Sequence, residues 1–118
     1  MSERIMSWFL VIFWMGAIFY FSSIPGRNIP AIFPFQDVVL HIFVYAILGA
    51  FFAAALKNTF PGVTLLKSII FVVIFGFLYG LSDEWHQGFV PGRTVSGLDV
   101  FSDVLGSLAG GWLYQWRK

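Results

Sequence analysis

The sequence predicts an all-α membrane protein, a compact bundle of four transmembrane helices with both termini cytoplasmic. Three observations predict it. Of 118 residues, 58% are hydrophobic and only 11% are charged, whereas an average soluble domain is about a quarter charged. A soluble chain this short cannot hide so much apolar surface in one core. Four apolar runs, near 5–21, 38–56, 65–81 and 98–116, are each about 17 to 19 residues long, or about 26 to 29 Å as helix, close to a hydrocarbon thickness of about 30 Å. Lysine and arginine are also spread unevenly over the ends of these runs.

The first run, Ile5 to Phe21, follows the weakly basic Met1-Ser2-Glu3-Arg4 and precedes no A-x-A site. It reads as a retained span rather than a cleaved signal peptide. Pro25, Pro30 and Pro34 then punctuate a loop, as helix breakers do. The second run, Val38 to Leu56, opens directly after Asp37, and Pro61 separates it from the third, Leu65 to Leu81. The fourth, Leu98 to Trp116, follows Ser96-Gly97. Strands fit poorly: the runs do not alternate, and four strands cannot close a membrane barrel. No repeat or low-complexity tract interrupts the chain, so 1–118 reads as one integral membrane domain.

With four spans, both termini share a side. Arg4, Lys57, Lys67, Arg117 and Lys118 fall on that side, and Arg27 and Arg93 on the other. The positive-inside bias makes the first side cytoplasmic. Trp8, Trp112 and Trp116 suit an inner aromatic belt and Trp85 an outer one. The acids then concentrate outside. Asp37, Asp83, Glu84, Asp99 and Asp103 lie at or near outer helix ends, as do His41 and His86. Two basic against five acidic residues give the outer rim a formal charge of −3.

Spacing within the helices favours convergence. Asp37, His41 and Tyr45 succeed one another at four-residue steps on one helical face, and Asp99 and Asp103 do the same. A fourth helix starting near Gly97 puts Asp103 about 9 Å inside it. Facing lipid there costs about 2.5 to 3.5 kcal/mol, so Asp103 is expected to face inward and find a partner, with His41 the natural one. Gly76-x-x-x-Gly80 and Gly106-x-x-x-Gly110, the latter extended by Ser102, allow close backbone approach in lipid. Either row serves a bundle or a dimer contact.

Taken together, these residues resemble the VanZ-like family of small bacterial membrane proteins, named for a protein linked to resistance to the glycopeptide teicoplanin. The matching pieces are Ser22-Ser23, Asp37-x-x-x-His41-x-x-x-Tyr45, Asp83-Glu84-x-His86-Gln87-x-Phe89-Val90-Pro91-Gly92-Arg93 and Asp99-x-x-x-Asp103-x-x-Gly106-x-x-x-Gly110. Where many members carry Asn, this chain has Asp103. The resemblance implies a multi-pass protein of the bacterial cytoplasmic membrane in a cell-envelope context. It supplies no reaction.

Local structural roles compete with functional ones. Asp37 fits an N-cap of the second helix. Ser96 and Asp99 fit a capping box. Pro91-Gly92 fits a tight turn that aims Arg93, and Arg93 fits a headgroup anchor. The concentration of acids on one side argues for a pocket beyond these roles. In an enzyme, His41 or His86 is the base, with Glu84 or Asp83 orienting it or acting as acid and Asp103 among the catalytic set. Asp37, Tyr45, Gln87, Arg93, Asp99, Ser22 and Ser23 then bind substrate, Arg93 offering a phosphate fork. In a non-catalytic binder, the same acidic rim takes a lipid headgroup or a cationic or glycopeptide ligand. A small transporter is the weakest reading, because the inner halves of the helices carry few polar groups.

A net charge of +1 gives no reason to expect nucleic acid, and the absence of cysteine excludes disulfides and thiolate metal sites. Two histidines and several carboxylates are donor types a divalent metal takes, but His-Glu-x-x-His is missing and Glu84-x-His86 is a weak ligand pattern. The sequence therefore leaves the cofactor open and does not favour a metal. The expected partners are membrane lipids, a lipid-linked envelope substrate or glycopeptide, and a second copy in a homodimer.

Overall fold

The computed structural model describes residues 2–93 and 96–116, apart from the side chain of Trp116. Arg117 and Lys118 of the charge asymmetry and the Trp116 ring of the inner belt lie outside the described residues. Four helices, α1 (Glu3–Ser22), α2 (Gln36–Thr59), α3 (Leu65–Gln87) and α4 (Gly97–Trp116), are joined by loops with one 3-10 turn at Gly26–Asn28. Among the described residues there is no strand.

Each helix start has a local cause. Ser2 accepts the Ile5 N–H at 3.2 Å, and Glu3 sits in the first turn of α1, where the helix dipole favours an anion. Thr64 caps α3 by accepting the Lys67 N–H at 3.2 Å. The start of α2 differs from expectation. Phe35, at φ 60, holds the cap position without a side-chain bond, and Asp37 lies one residue inside the helix. Gln36 supplies the missing order: its Oε1 accepts from Ile32 N–H at 2.7 Å and its Nε2 donates to the Pro30 carbonyl at 2.8 Å. At α4, half of the expected capping box forms. Ser96 Oγ accepts from Leu98 N–H at 3.1 Å, but the Ser96 N–H donates to Glu84, not to Asp99.

The helices run alternately up and down. α2 is central, packing most closely on α4 and also touching α1 and α3; α3 packs on α4, and α1 does not meet α4 among the described residues. Glycine permits the closest approaches. A Cβ on Gly106 would overlap the Ile42 carbonyl oxygen and one on Gly110 that of Ala46, so the α4 row lies directly on the α2 backbone. Gly76 and Gly80 lie beneath the side chains of Ser107 and Asp103. Both small-residue rows are therefore spent inside the bundle and not on a dimer face.

The molecule is inverted relative to a soluble bundle. Its exterior exposes Phe9, Ile12, Phe13, Phe43, Leu66 and Phe71, while Ser68, Asp83, Gln87, Asp99, Asp103 and Ser107 are buried. α1, α2 and α3 are long and apolar enough to cross a membrane. α4 is not, so of the four expected spans length and composition establish three. The reason is visible in its two faces. Asp99, Ser102, Asp103 and Ser107 point into the bundle, whereas Leu98, Phe101, Leu105, Leu108 and Trp112 point out at helical spacing. Averaging over both faces hides an apolar exterior. Of the expected belt residues, Trp85 is exposed, but Trp8 turns inward, donating to Thr59 at 2.6 Å and packing edge-on against Phe52.

Candidate functional site

Asp103 sits one and a half turns inside α4 and is fully buried. As its depth predicts, it has found His41: Nδ1 of the imidazole lies 2.5 Å from Oδ1. One turn further along α2, the Tyr45 ring lies parallel to His41 with centroids 6.3 Å apart. The Tyr45 hydroxyl donates to Asp83 Oδ2 at 3.1 Å, and Ser22, at the end of α1, donates its hydroxyl to Asp83 Oδ1. All four helices thus contribute to one buried cluster. Asp83 has both carboxylate oxygens satisfied. Asp103 does not: Oδ2 is buried and has no hydrogen-bond partner among the described residues. Tyr79 and Phe75 continue the aromatic layer beneath Tyr45, with Tyr79 donating to the Met15 carbonyl at 2.6 Å.

A second group lies one turn nearer the helix ends. A cleft of about 470 Å³ opens between the α1–α2 loop and the start of α4, lined by Phe33, Gln36, Asp37, Arg93, Ser96 and Asp99 among others. Asp99 is almost fully buried and Asp37 is exposed. Each stands four residues before a member of the buried cluster, Asp99 before Asp103 and Asp37 before His41, so the cleft floor is about 6 Å above it. Glu84 borders this group through the Ser96 N–H.

Arg93 has a role that the sequence reading missed. Its Nη1 donates to the carbonyls of Phe21 and Ile24, each at 3.0 Å, and reaches Ser22 at 3.5 Å. It closes the C-terminal end of α1, which has no basic residue in its own last turn. That absence was the one available signal. The Pro91-Gly92 turn aims Arg93, as expected: Gly92 takes φ +75. The Gly26 N–H donates to the Pro91 carbonyl at 2.9 Å, pinning the two loops together.

His86 occupies a third place. Ser23 Oγ lies 3.2 Å from its Nε2, and its ring stacks on Phe19 with centroids 4.2 Å apart. Its Nδ1 is buried without a partner among the described residues. Gln87 is buried at the end of α3. The Asp83–Gln87 motif, which lies beyond the expected end of the third run at Leu81, forms the closing turns of that helix. The expected single pocket is therefore three adjoining groups: Ser22, His41, Tyr45, Asp83 and Asp103 in the interior; Asp37, Glu84, Arg93 and Asp99 around the cleft; Ser23 and His86 between α1 and α3.

These features define a small helical membrane protein with a buried ionisable cluster near one end. The VanZ/LLP1 family model matches residues 7–118, and the chain belongs to that family. No curated protein and no solved structure matches it.

Proposed function

We propose that this VanZ-family protein crosses the bacterial cytoplasmic membrane four times, with both termini in the cytoplasm. Its cleft opens on the extracytoplasmic face and acts there on a lipid-linked or other cell-envelope substrate, altering susceptibility to glycopeptides such as teicoplanin. The observation that carries this reading is the convergence of acids and histidines from α2, α3 and α4, joined by Ser22 of α1, at one end beneath a cleft of about 470 Å³. The apolar outer face of α4 supports its crossing with the other three. The excess of Lys and Arg at the opposite end supports the orientation. The glycopeptide component rests on family membership.

For chemistry, His41 held by Asp103 has the form of a base with its orienting carboxylate. A second reading, a non-catalytic binder of a lipid headgroup or a cationic or glycopeptide ligand, is favoured by a different observation. His41 and Asp83 already have partners below the cleft, so Asp37 and Asp99 are the acids an arriving ligand meets. A transporter subunit is less well supported, since the opposite end is joined by neutral groups.

Incubating the purified protein in nanodiscs with envelope lipid extract divides the readings. A chemically changed product, detected by mass spectrometry and absent with His41→Gln, supports an enzyme; a retained but unchanged lipid supports a binder. Neither outcome, together with unchanged teicoplanin susceptibility on deletion, defeats both. Orientation has its own test, because the chain has no cysteine. A single Cys replacing Asn28 should react with an impermeant maleimide from outside intact spheroplasts, and one replacing Asn58 should not.

A further inference from the structure

We infer that His41, Asp83 and Asp103 form a binding site for one divalent transition-metal ion, of the Zn²⁺ or Mn²⁺ type. Each offers a donor atom, and the three lie within 4.8 Å of one another. Surface acids commonly gather without binding anything, but these are not surface acids: Asp103 is 0% and Asp83 6% exposed.

Two further observations point to a ligand. Asp103 Oδ2 is enclosed and unpartnered among the described residues, although a buried carboxylate oxygen normally accepts a bond. The small residue at Gly80 is what lets Asp103 sit this close to α3. Gly80 stands against Asp103, and a Cβ there would come within 2.8 Å of Oδ2 and 3.1 Å of the Asp103 Cβ. Charge points the same way. Among the described residues, His41 is the one cation-forming side chain in contact with either carboxylate, whereas Arg93 is turned to the α1 carbonyls. Two carboxylates in an apolar bundle need a positive partner, and a divalent ion balances both.

The donor set selects the ion. One imidazole nitrogen and carboxylate oxygens, without a thiolate, suit Zn²⁺ or Mn²⁺ better than Cu⁺, and the site has fewer oxygens than Ca²⁺ takes. Zinc donors lie about 2.0–2.2 Å from the ion and therefore about 3.4 Å from each other in a tetrahedron. The present donors, 2.5 Å apart at His41–Asp103 and all within 4.8 Å, bracket that spacing. A supporting shell already exists, since Tyr45 and Ser22 donate to Asp83, as hydroxyls do around metal-binding carboxylates. Three protein donors leave a coordination position for a further ligand. The site shares His41 and Asp103 with the base and orienting carboxylate proposed above, but ion retention is read without any envelope substrate, so its failure and the failure of that reading are told apart.

The test uses the full chain in nanodiscs, stripped with a chelator and given Zn²⁺ or Mn²⁺ alone. After desalting, inductively coupled plasma mass spectrometry should find one ion per chain. Asp103→Asn, Asp83→Asn and His41→Gln should each lower the retained ion at least tenfold. Asp37, Glu84 and His86 remain in all three variants, so equal retention by the variants would mean adventitious surface binding and overturn the assignment. So would a substoichiometric wild type, or retention of Mg²⁺ or Ca²⁺ in preference. A readout on the unaltered chain covers variants that fail to fold. Added Co²⁺ should develop the intense visible bands of a four- or five-coordinate nitrogen–oxygen site, and the weak spectrum of the six-coordinate aqua ion would equally overturn it.

Discussion

At the end of the bundle where α1 begins and α2 finishes, Trp8 donates to Thr59 at 2.6 Å, Asn58 to Ser7 at 2.5 Å and Gln115 to Ser68 at 2.6 Å. Every one of these groups is neutral. At the other end the helices meet through Ser22, His41, Tyr45, Asp83 and Asp103, where carboxylates and an imidazole share the bonds and one carboxylate oxygen has none among the described residues. Both ends solve the same problem, that polar groups between helices in lipid must bond to each other. The neutral end shows that this sequence can solve it without charge. Ionisable groups carry a desolvation cost that amides and hydroxyls avoid, and removing one partner leaves the other exposed to that cost. Stability alone therefore accounts for the first end and not for the second.

The sharpest way to break this contrast is to remove one side of the His41–Asp103 pair. His41→Ala should destabilise the bundle by about 3–5 kcal/mol, because Asp103 then stays buried without its partner. Reversible unfolding in detergent micelles measures it. The companion variant, His41→Leu with Asp103→Leu, should recover most of that loss, since replacing a buried pair by apolar groups is often neutral or stabilising. It should nevertheless lack any glycopeptide phenotype of the wild type. A double variant that kept the phenotype would reduce the ionisable end to a second fastener.

A smaller effect separates a glycine of α4 from one of α3. At Gly110, towards the neutral end, an added Cβ meets the Ala46 backbone carbonyl, which cannot swing aside. At Gly80, beneath the cluster, it meets the Asp103 side chain, which can. Gly110→Ala should therefore cost about 1–3 kcal/mol in overpacking. Gly80→Ala should cost less in stability while disturbing the cluster more, with lower metal retention as the second readout. Equal stability losses would mean that Asp103 is held as firmly as backbone.

How much of this was legible beforehand follows from the range of the interactions. Three of the four expected spans could be read because apolar runs of membrane length are a local signal. The His41–Asp103 pair could be read because four-residue spacing and depth leave an inward acid few partners. Roles set by contacts across the chain could not. Arg93 closes a helix 69 to 72 residues away, and nothing in Pro91-Gly92-Arg93 names the carbonyls it reaches. Asp83 looked like a rim acid until α3 proved to continue through it to Gln87. Asp37 looked like a cap because its residue type suits one; the chain instead turned left-handed at Phe35, a bulky residue no propensity argument selects for that conformation. α4 was expected as a fourth such run, but it is not long and apolar enough to be established as one, because its interior face is polar.

The smallest predicted difference is between two matched hydroxyl removals. Thr59→Val takes the acceptor from Trp8 at the neutral end, and Tyr45→Phe takes one of two donors from Asp83 at the ionisable end. Interhelical bonds in membranes average about 0.6 kcal/mol, and on that basis alone the two variants are alike in unfolding experiments. They should differ in what else changes. Thr59→Val should leave teicoplanin susceptibility and metal retention as they are, because the bond it removes joins two neutral groups far from the cluster. Tyr45→Phe should weaken metal retention several-fold while keeping the fold, because it loosens a carboxylate that a bound ion needs held in place. Should both variants behave alike in every measurement, Tyr45 is no more than another neutral fastener, and the difference between the two ends narrows to His41 and Asp103.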